Sequence, residues 1–475
     1  MKKFLFPESG GSRQALMGGT YAMAVTAVVL AILIVVNIFA AKLPANLTKL
    51  DISASKLYSI TSNTKVVVNN LQQDVTISWV VQADQEDSVL ENLLSKYESL
   101  SSHISVVKKN PDVYPTFTQQ YTSESVPNNS LIVVSGERSR YVSFNDIYLV
   151  DSDMYSYSYT TSFDGEGAIT SAIDYVVTED LPRMYVLMGH GEQDLPQTFA
   201  DTVEKENIVT QSLSLLTSDE IPQDAACILL YAPQSDLSET EAQMLTDYAD
   251  EGGKLLVIAG PVDGQEFPNL HSVLNHYGIT VQAGIVIEND RNHYAFGYPY
   301  LLMPDMESSE ITDSLIESRY TPIFPVAQGL KISDSAPGVT SLLTTSSLSY
   351  SKLAGFTLDT YEWEEGDAEG PFSIGVSIDT QGGGQVIWLA ASDFLSDMYN
   401  AYSSGANVDL TMNALSALMG QREAIAIRSK SLNYNYLTIS ASTAATLKFL
   451  MISLFPLTYL GFGIAIFVTK RRKTQ

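Results

Sequence analysis

Cysteine is nearly absent. Cys227 is alone in 475 residues, so no intrachain disulfide can form and no Cys-x-x-Cys pair exists for dithiol redox chemistry. It lies in the apolar run Cys227-Ile228-Leu229-Leu230-Tyr231, where a thiol is expected to act as a small buried hydrophobe rather than a nucleophile. Basic residues are scarce as well. With 27 Lys+Arg against 54 Asp+Glu, the net charge is −27, which repels phosphates and argues against a nucleic-acid partner. Three catalytic signatures are missing. No Gly-x-x-x-x-Gly-Lys-Ser/Thr occurs, and Gly252-Gly253-Lys254 lacks the spacing to wrap a phosphate, so any ATPase is another chain. No Gly-x-Ser-x-Gly elbow follows a strand, and there is no His-Glu-x-x-His. Asp151 and Asp153 are read as solvated loop carboxylates, so neither a metal nor a cofactor is expected.

Two long apolar runs are present. Residues 17–41 are free of charge, long enough to cross a hydrocarbon core of about 30 Å. A retained anchor is expected there, with cleavage after the small residues Ala40 and Ala41 as the alternative. Residues 444–468 form the second run; its one charge, Lys448, sits near the start, and Pro456 is expected to kink it. Lys2, Lys3 and Arg13 precede the first run and Lys470-Arg471-Arg472-Lys473 follow the second. The positive-inside rule therefore places tails 1–16 and 469–475 in the cytoplasm and the acidic middle outside the cell membrane.

The middle reads as two α/β domains. In 51–150, strands at Val75–Val81 and Ile104–Val107 flank a helix at Asp87–Leu100, and a hairpin follows at Leu131–Val134 and Arg140–Phe144, a thioredoxin-like layout. A Tyr/Ser/Asp stretch, 146–162, reads as a linker or an aromatic edge. In 160–430, strands at Met184–Met188, Ile208–Leu213, Cys227–Tyr231, Leu255–Ala259, Ile279–Val281 and Gln385–Ala390 alternate with helices. That pattern predicts a mostly parallel, doubly wound sheet. Ser238-Glu239-Thr240-Glu241 is a capping box, and Gly252-Gly253 ends the helix it opens. The pattern loosens over 287–370, an aromatic and acidic insertion carrying Tyr294, Phe296, Tyr298, Tyr300 and Glu362-Trp363-Glu364-Glu365-Gly366-Asp367, read as a binding surface or an irregular cover.

The densest polar signal runs from Phe163 to Glu192. Met184-Tyr185-Val186-Leu187-Met188 ends on Gly189-His190-Gly191-Glu192, so His190 and Glu192 are expected at the carboxyl end of a buried strand, where open α/β sheets meet ligands. Asp393, after the last strand, is expected on the same rim. These three are the candidate contact residues; no catalytic residue is assigned.

Phe163-x-x-Glu166-x-x-x-Thr170-x-Ala172-Ile173, Gly189-His190-Gly191-Glu192, Gly253-Lys254-Leu255-Leu256, Ser392-Asp393-Phe394 and Asn407-x-Asp409-Leu410-x-x-Asn413-Ala414-Leu415 together resemble the GldG-type family. Lys56-Leu57-Tyr58-Ser59-Ile60-Thr61 resembles its opening motif. The family comprises gliding-motility-associated, extracytoplasmic subunits of ABC-type transport systems. The resemblance implies permease and ATPase partners, and a central domain similar to class I glutamine amidotransferase folds without their catalytic cysteine. Three function classes follow: a non-catalytic transport subunit, an extracytoplasmic hydrolase using His190 with Glu192 or Asp393, and a structural or adhesive surface module.

Overall fold

The computed structural model describes residues 21, 23–35, 57, 59–153, 158–218, 220–420, 430–432 and 448–472. Two compact units divide the chain. One takes in the N-terminal segment with Ile60–Tyr148 and Asp164–Ser429; the other takes in Asp51–Ser59, Leu149–Phe163 and Lys430–Gln475.

The first unit begins with helix α1 (Ser62–Asn69), followed by β1 (Val75–Val80), α2 (Ser88–Leu100), β2 (Ile104–Lys109), β3 (Ser130–Ser135) and β4 (Arg138–Val142). The strand order is β2-β1-β3-β4; β1 and β2 run parallel, and β3 is antiparallel to both β1 and β4. Asp87 caps α2 through the Val89 and Leu90 amides, and the helix buries Leu90, Leu93, Leu94 and Tyr97 at helical spacing. Helix α3 (Gly165–Val177) packs on β3 and β4. Sequence placed this segment at the start of the larger domain, yet its polar side chains face the small one. Glu166 Oε1 accepts from the Thr61 amide at 2.6 Å and from Thr64 Oγ1 at 2.9 Å, while the Tyr97 hydroxyl lies 2.7 Å from Thr170 Oγ1.

The larger sheet is built from β5 (Arg183–Leu187), α4 (Gln197–Lys205), β6 (Val209–Leu213), β7 (Ala225–Tyr231), α5 (Glu239–Asp250), β8 (Lys254–Ile258), α6 (Pro268–His276), β9 (Ile279–Val281), β10 (Leu330–Ile332), β11 (Val339–Thr344), β12 (Ser373–Asp379) and β13 (Gln385–Leu389), with α7 (Ala406–Leu418) after it. Its main path is β9-β10-β12-β13-β8-β7-β5-β6. Five strands, β6-β5-β7-β8-β13, are parallel. In chain order they read 2-1-3-4-5, so the strand order reverses between β5 and β7. Alternate residues of these strands feed two cores: Met184, Cys227, Leu229, Leu256 and Ile387 join α4 and α7, whereas Leu187, Ile228, Leu230, Val257 and Trp388 join α5 and α6. Burial of both faces is why the strands read as unbroken apolar runs.

The expected mostly parallel sheet needs correction at one edge. Ile279–Val281 pairs antiparallel with β10, and β12, absent from the sequence reading, is antiparallel to β13. The connection into β13 is a tight turn through Gly382 to Gly384 rather than a crossover helix. Cys227 is buried, and burial pushes its thiol up to about 12.

In the second unit, strands Tyr148–Asp153, Ser158–Phe163 and Lys430–Ser431 form a three-stranded sheet, and Lys430 Nζ donates to Ser59 O at 2.7 Å. No helix among the described residues is long and apolar enough to cross a membrane. Of the first expected span, 21 and 23–35 are described, helical and exposed, and the rest of 17–41 lies outside the described residues. In the second, a π-helical turn at Leu450–Leu454 runs without a break into the helix Phe455–Arg472, so Pro456 stands inside a continuous helical stretch, at the junction of its π and α parts. Residues 444–447 lie outside the described residues.

Candidate functional site

His190 follows β5 at the crevice where the strand order reverses, the usual ligand position in such sheets. Here it carries a buried polar network. Gly189 and Gly191 take φ values of +139° and +73°, conformations that L side chains rarely adopt, and a Cβ on Gly189 would sit 2.9 Å from Leu216 Cδ1. The turn points the Gly189 and His190 amides at Glu192 Oε2, at 2.9 and 2.8 Å. The imidazole lies between two carboxylates: Nδ1 is 3.2 Å from Glu192 Oε1 and Nε2 is 3.2 Å from Glu241 Oε2. Glu241 is also the N3 residue of the capping box of α5, accepting from the Ser238 amide at 2.9 Å and its hydroxyl at 2.7 Å. Burial works to raise the Glu241 pKa, but the Ser238 donors and His190 outweigh it and hold the carboxyl below its ordinary value. Its Oε1 has no hydrogen-bond partner. The His190 carbonyl accepts from the Gln234 and Ser235 amides after β7, stitching the two sides of the crevice together.

His190 is 5% exposed and the Glu192 side chain 1%. Both candidate contact residues stand on the rim, and their side chains turn inward to satisfy the loop. Asp393 shares the rim and is exposed, linked to Gln193 Nε2 at 3.4 Å. The neighbouring motif residues are also ties. Ser392 Oγ accepts from the Gly260 amide at 2.8 Å, and buried Asn407 bonds both the amide and the carbonyl of Ile323 at 2.9 Å. Asn413 donates to Ile311 O at 2.9 Å. Asn407 and Asn413 thereby clip the insertion onto α7.

Sequence missed two charged sites. In the insertion, Lys352 is fully buried, with Nζ 2.5 Å from Glu362 O, 2.6 Å from Glu364 Oε2 and 3.3 Å from Asp367 Oδ2. The acidic stretch, read as a binding surface or an irregular cover, is a loop wrapped over this ammonium. The other site lies between α3 and α4, where Lys205 Nζ bonds Asp164 Oδ2 at 2.9 Å and Asn207 Nδ2 bonds Asp174 Oδ2 at 3.0 Å. Burial, with Asp174 and Asp164 nearby, raises the half-buried Glu206 carboxyl from 4.5 to about 7. The folded state thus binds this proton more tightly than the unfolded chain, so stability falls as pH rises through that window, by at most about 3 kcal/mol. Glu206→Gln is expected to raise the melting temperature at pH 8 and to flatten its decline between pH 5 and pH 8. An unchanged slope in thermal melts at those two pH values would count against this origin.

With the fold and the rim in place, comparison with known proteins identifies one segment. Residues 181–299 match the family model of an ABC-type uncharacterized transport system. They span β5 through the strand Ile285–Ile287 and hold His190, Glu192 and Glu241 but not Asp393. Residues 54–149, the small sheet, match a domain family of unknown function. None of the curated proteins matches. Among solved structures, the chain is similar to the mmIFT52 N-terminal domain (20% identity, 50% of this chain and 97% of that one, TM-score 0.38). It is also similar to a glutamine amidotransferase from Thermotoga maritima (8% identity, 51% and 99%, TM-score 0.30) and to PurLQS from the same organism (12% identity, 50% and 100%, TM-score 0.27). These scores lie below 0.5, and the fold stands on the strand order given above.

Proposed function

We propose that this chain is a non-catalytic, membrane-anchored extracytoplasmic subunit of an ABC-type transport system, acting through contacts with permease and ATPase subunits. The observation that carries the reading is the match of residues 181–299 to that transport family. The order of motifs extends it to the GldG-type branch. The 2-1-3-4-5 strand order supports an amidotransferase-like layout for the larger domain, and the order β2-β1-β3-β4 supports a thioredoxin-like one for the smaller. Both His190 nitrogens face carboxylates, and the Ser235 and Ser238 hydroxyls donate elsewhere, to His190 O and Glu241. Among the described residues no hydroxyl or thiol nucleophile is paired with the imidazole, which favours a binding role over hydrolysis. Exposed apolar side chains at 23–35 and on Phe449, Met451, Ile452, Leu457 and Leu460 favour anchoring at both ends.

The test is recovery of a tagged full-length chain from native membranes in mild detergent, with identification of what accompanies it. A permease and an ATPase are the expected companions, and protease added to intact spheroplasts is expected to remove the middle while sparing both tails. Recovery of the chain alone, from membranes in which other ABC assemblies stay intact, would favour a free-standing surface module.

A further inference from the structure

Farther along the same rim, beyond the carboxyl ends of β8 and β13, lies a cavity of about 500 Å³. It does not touch the His190 network, and nothing in the transport reading depends on it. Its walls come from the segment after β8, from residues 281–285 and from the turn at Leu353 to Phe356, with Gln328 beside them. Gln328 is held there by its amide, which donates to Ala390 O at the end of β13 at 2.9 Å.

The polar side chains on these walls are unspent. Gln265, Gln282, Gln328 and His271 line the cavity, and among the described residues none of their side chains makes a hydrogen bond within the protein. Burial lowers the His271 pKa against an upward pull from Asp236, leaving a neutral ring at neutral pH. Three amides and a neutral imidazole each combine donor and acceptor capacity, which suits a ligand whose groups both give and take hydrogen bonds. No lysine or arginine lines the cavity, and Glu266 is its one carboxylate, so an anionic ligand has no counter-charge.

Apolar surface completes the site. Phe267 lies in the wall, and at the mouth Phe356 is 46% and Leu353 59% exposed. The backbone beside them is already committed. Val281 pairs with Leu330, the Gln282 amide donates to Gly329 O, Ala283 O accepts from Ser351 Oγ, and Ile285 pairs with Lys352. Among the described residues of this wall no free strand edge remains for an extended peptide to join.

We propose that this cavity binds a neutral saccharide of one or a few rings, its hydroxyls bonded by Gln282, Gln328 and His271 and its C–H face laid on Phe356. The volume falls within the range of small-molecule sites, and the electron-rich face of an aromatic ring attracts the weakly positive C–H edge of a sugar.

The experiment is calorimetric titration of the full-length chain in a zwitterionic detergent free of sugar. The probes are N,N′-diacetylchitobiose, cellobiose and maltose, with triglycine and inorganic phosphate as controls. At least one saccharide is expected to bind at roughly 0.1 mM, weakened about tenfold by Gln282→Leu and again by Gln328→Leu, with melting unchanged. Three results overturn the proposal: no saccharide binding below about 5 mM, tighter binding of triglycine or phosphate than of every saccharide, or unchanged affinity in the Gln282→Leu/Gln328→Leu double variant. The two controls separate a peptide or anion site from a sugar site.

Discussion

Replacing Lys352 by methionine is expected to lower the melting temperature by roughly 5 °C or more, one of the largest single-residue effects in the chain. The ammonium has no solvent exposure and is held by a carbonyl and two carboxylates. Glu364 is 59% exposed and can rehydrate, but the Asp367 side chain is 4% exposed. Burial works to raise the Asp367 pKa, and the Leu353 and Glu364 amides with Lys352 hold it below its ordinary value. Without Lys352 those two amides, each at 2.9 Å, are what remains for a buried carboxylate. The loop from Glu362 to Asp367 is then expected to loosen. Thermal melts of the full chain measure the first effect, and the emission of Trp363, half-exposed on that loop, measures the second. The Lys352→Met/Asp367→Leu double variant should recover part of the loss. A single variant that melts like the parent would mean that the loop carries no stability.

His190→Ala is expected to cost about 3 kcal/mol. The substitution leaves Glu192 and Glu241, both buried, facing each other across an empty space with no proton donor between them. Glu192 keeps two amides and Glu241 keeps Ser238, which holds the cost to the lower end for a broken buried pair. Asp393→Ala, at an exposed position with one long hydrogen bond, is expected to leave melting unchanged. Recovery of the membrane complex separates the roles. If the rim meets a partner, Asp393→Ala lowers recovery without lowering the melt, whereas His190→Ala lowers both. Normal recovery with Asp393→Ala would place the contact elsewhere.

Much of the fold was legible because burial leaves a pattern in the chain. Ala225–Tyr231 and Lys254–Ile258 are covered on both faces, so their apolar runs announced them. The capping box at Ser238 and Glu241 was visible because its partners are three residues apart. Strand β12 carries a weaker signal, the alternation of Ile374, Val376 and Ile378 with small or polar residues. The direction of Ile279–Val281 was hidden, since a three-residue strand fits either neighbour equally well.

The candidate site divides along the same line. Sequence by itself determined that His190 ends a buried strand, that Asp393 shares its rim, and that no phosphate loop or serine elbow accompanies them. Only the tertiary structure decided that the imidazole is closed off by Glu241, 51 residues away, that Lys352 is wrapped by an acidic loop, and that α3 serves the small sheet. The reason is physical. Periodicity reports which face of an element leaves water, while the partner that satisfies a buried polar group is chosen through space, and nothing in the local spacing of either residue records that choice.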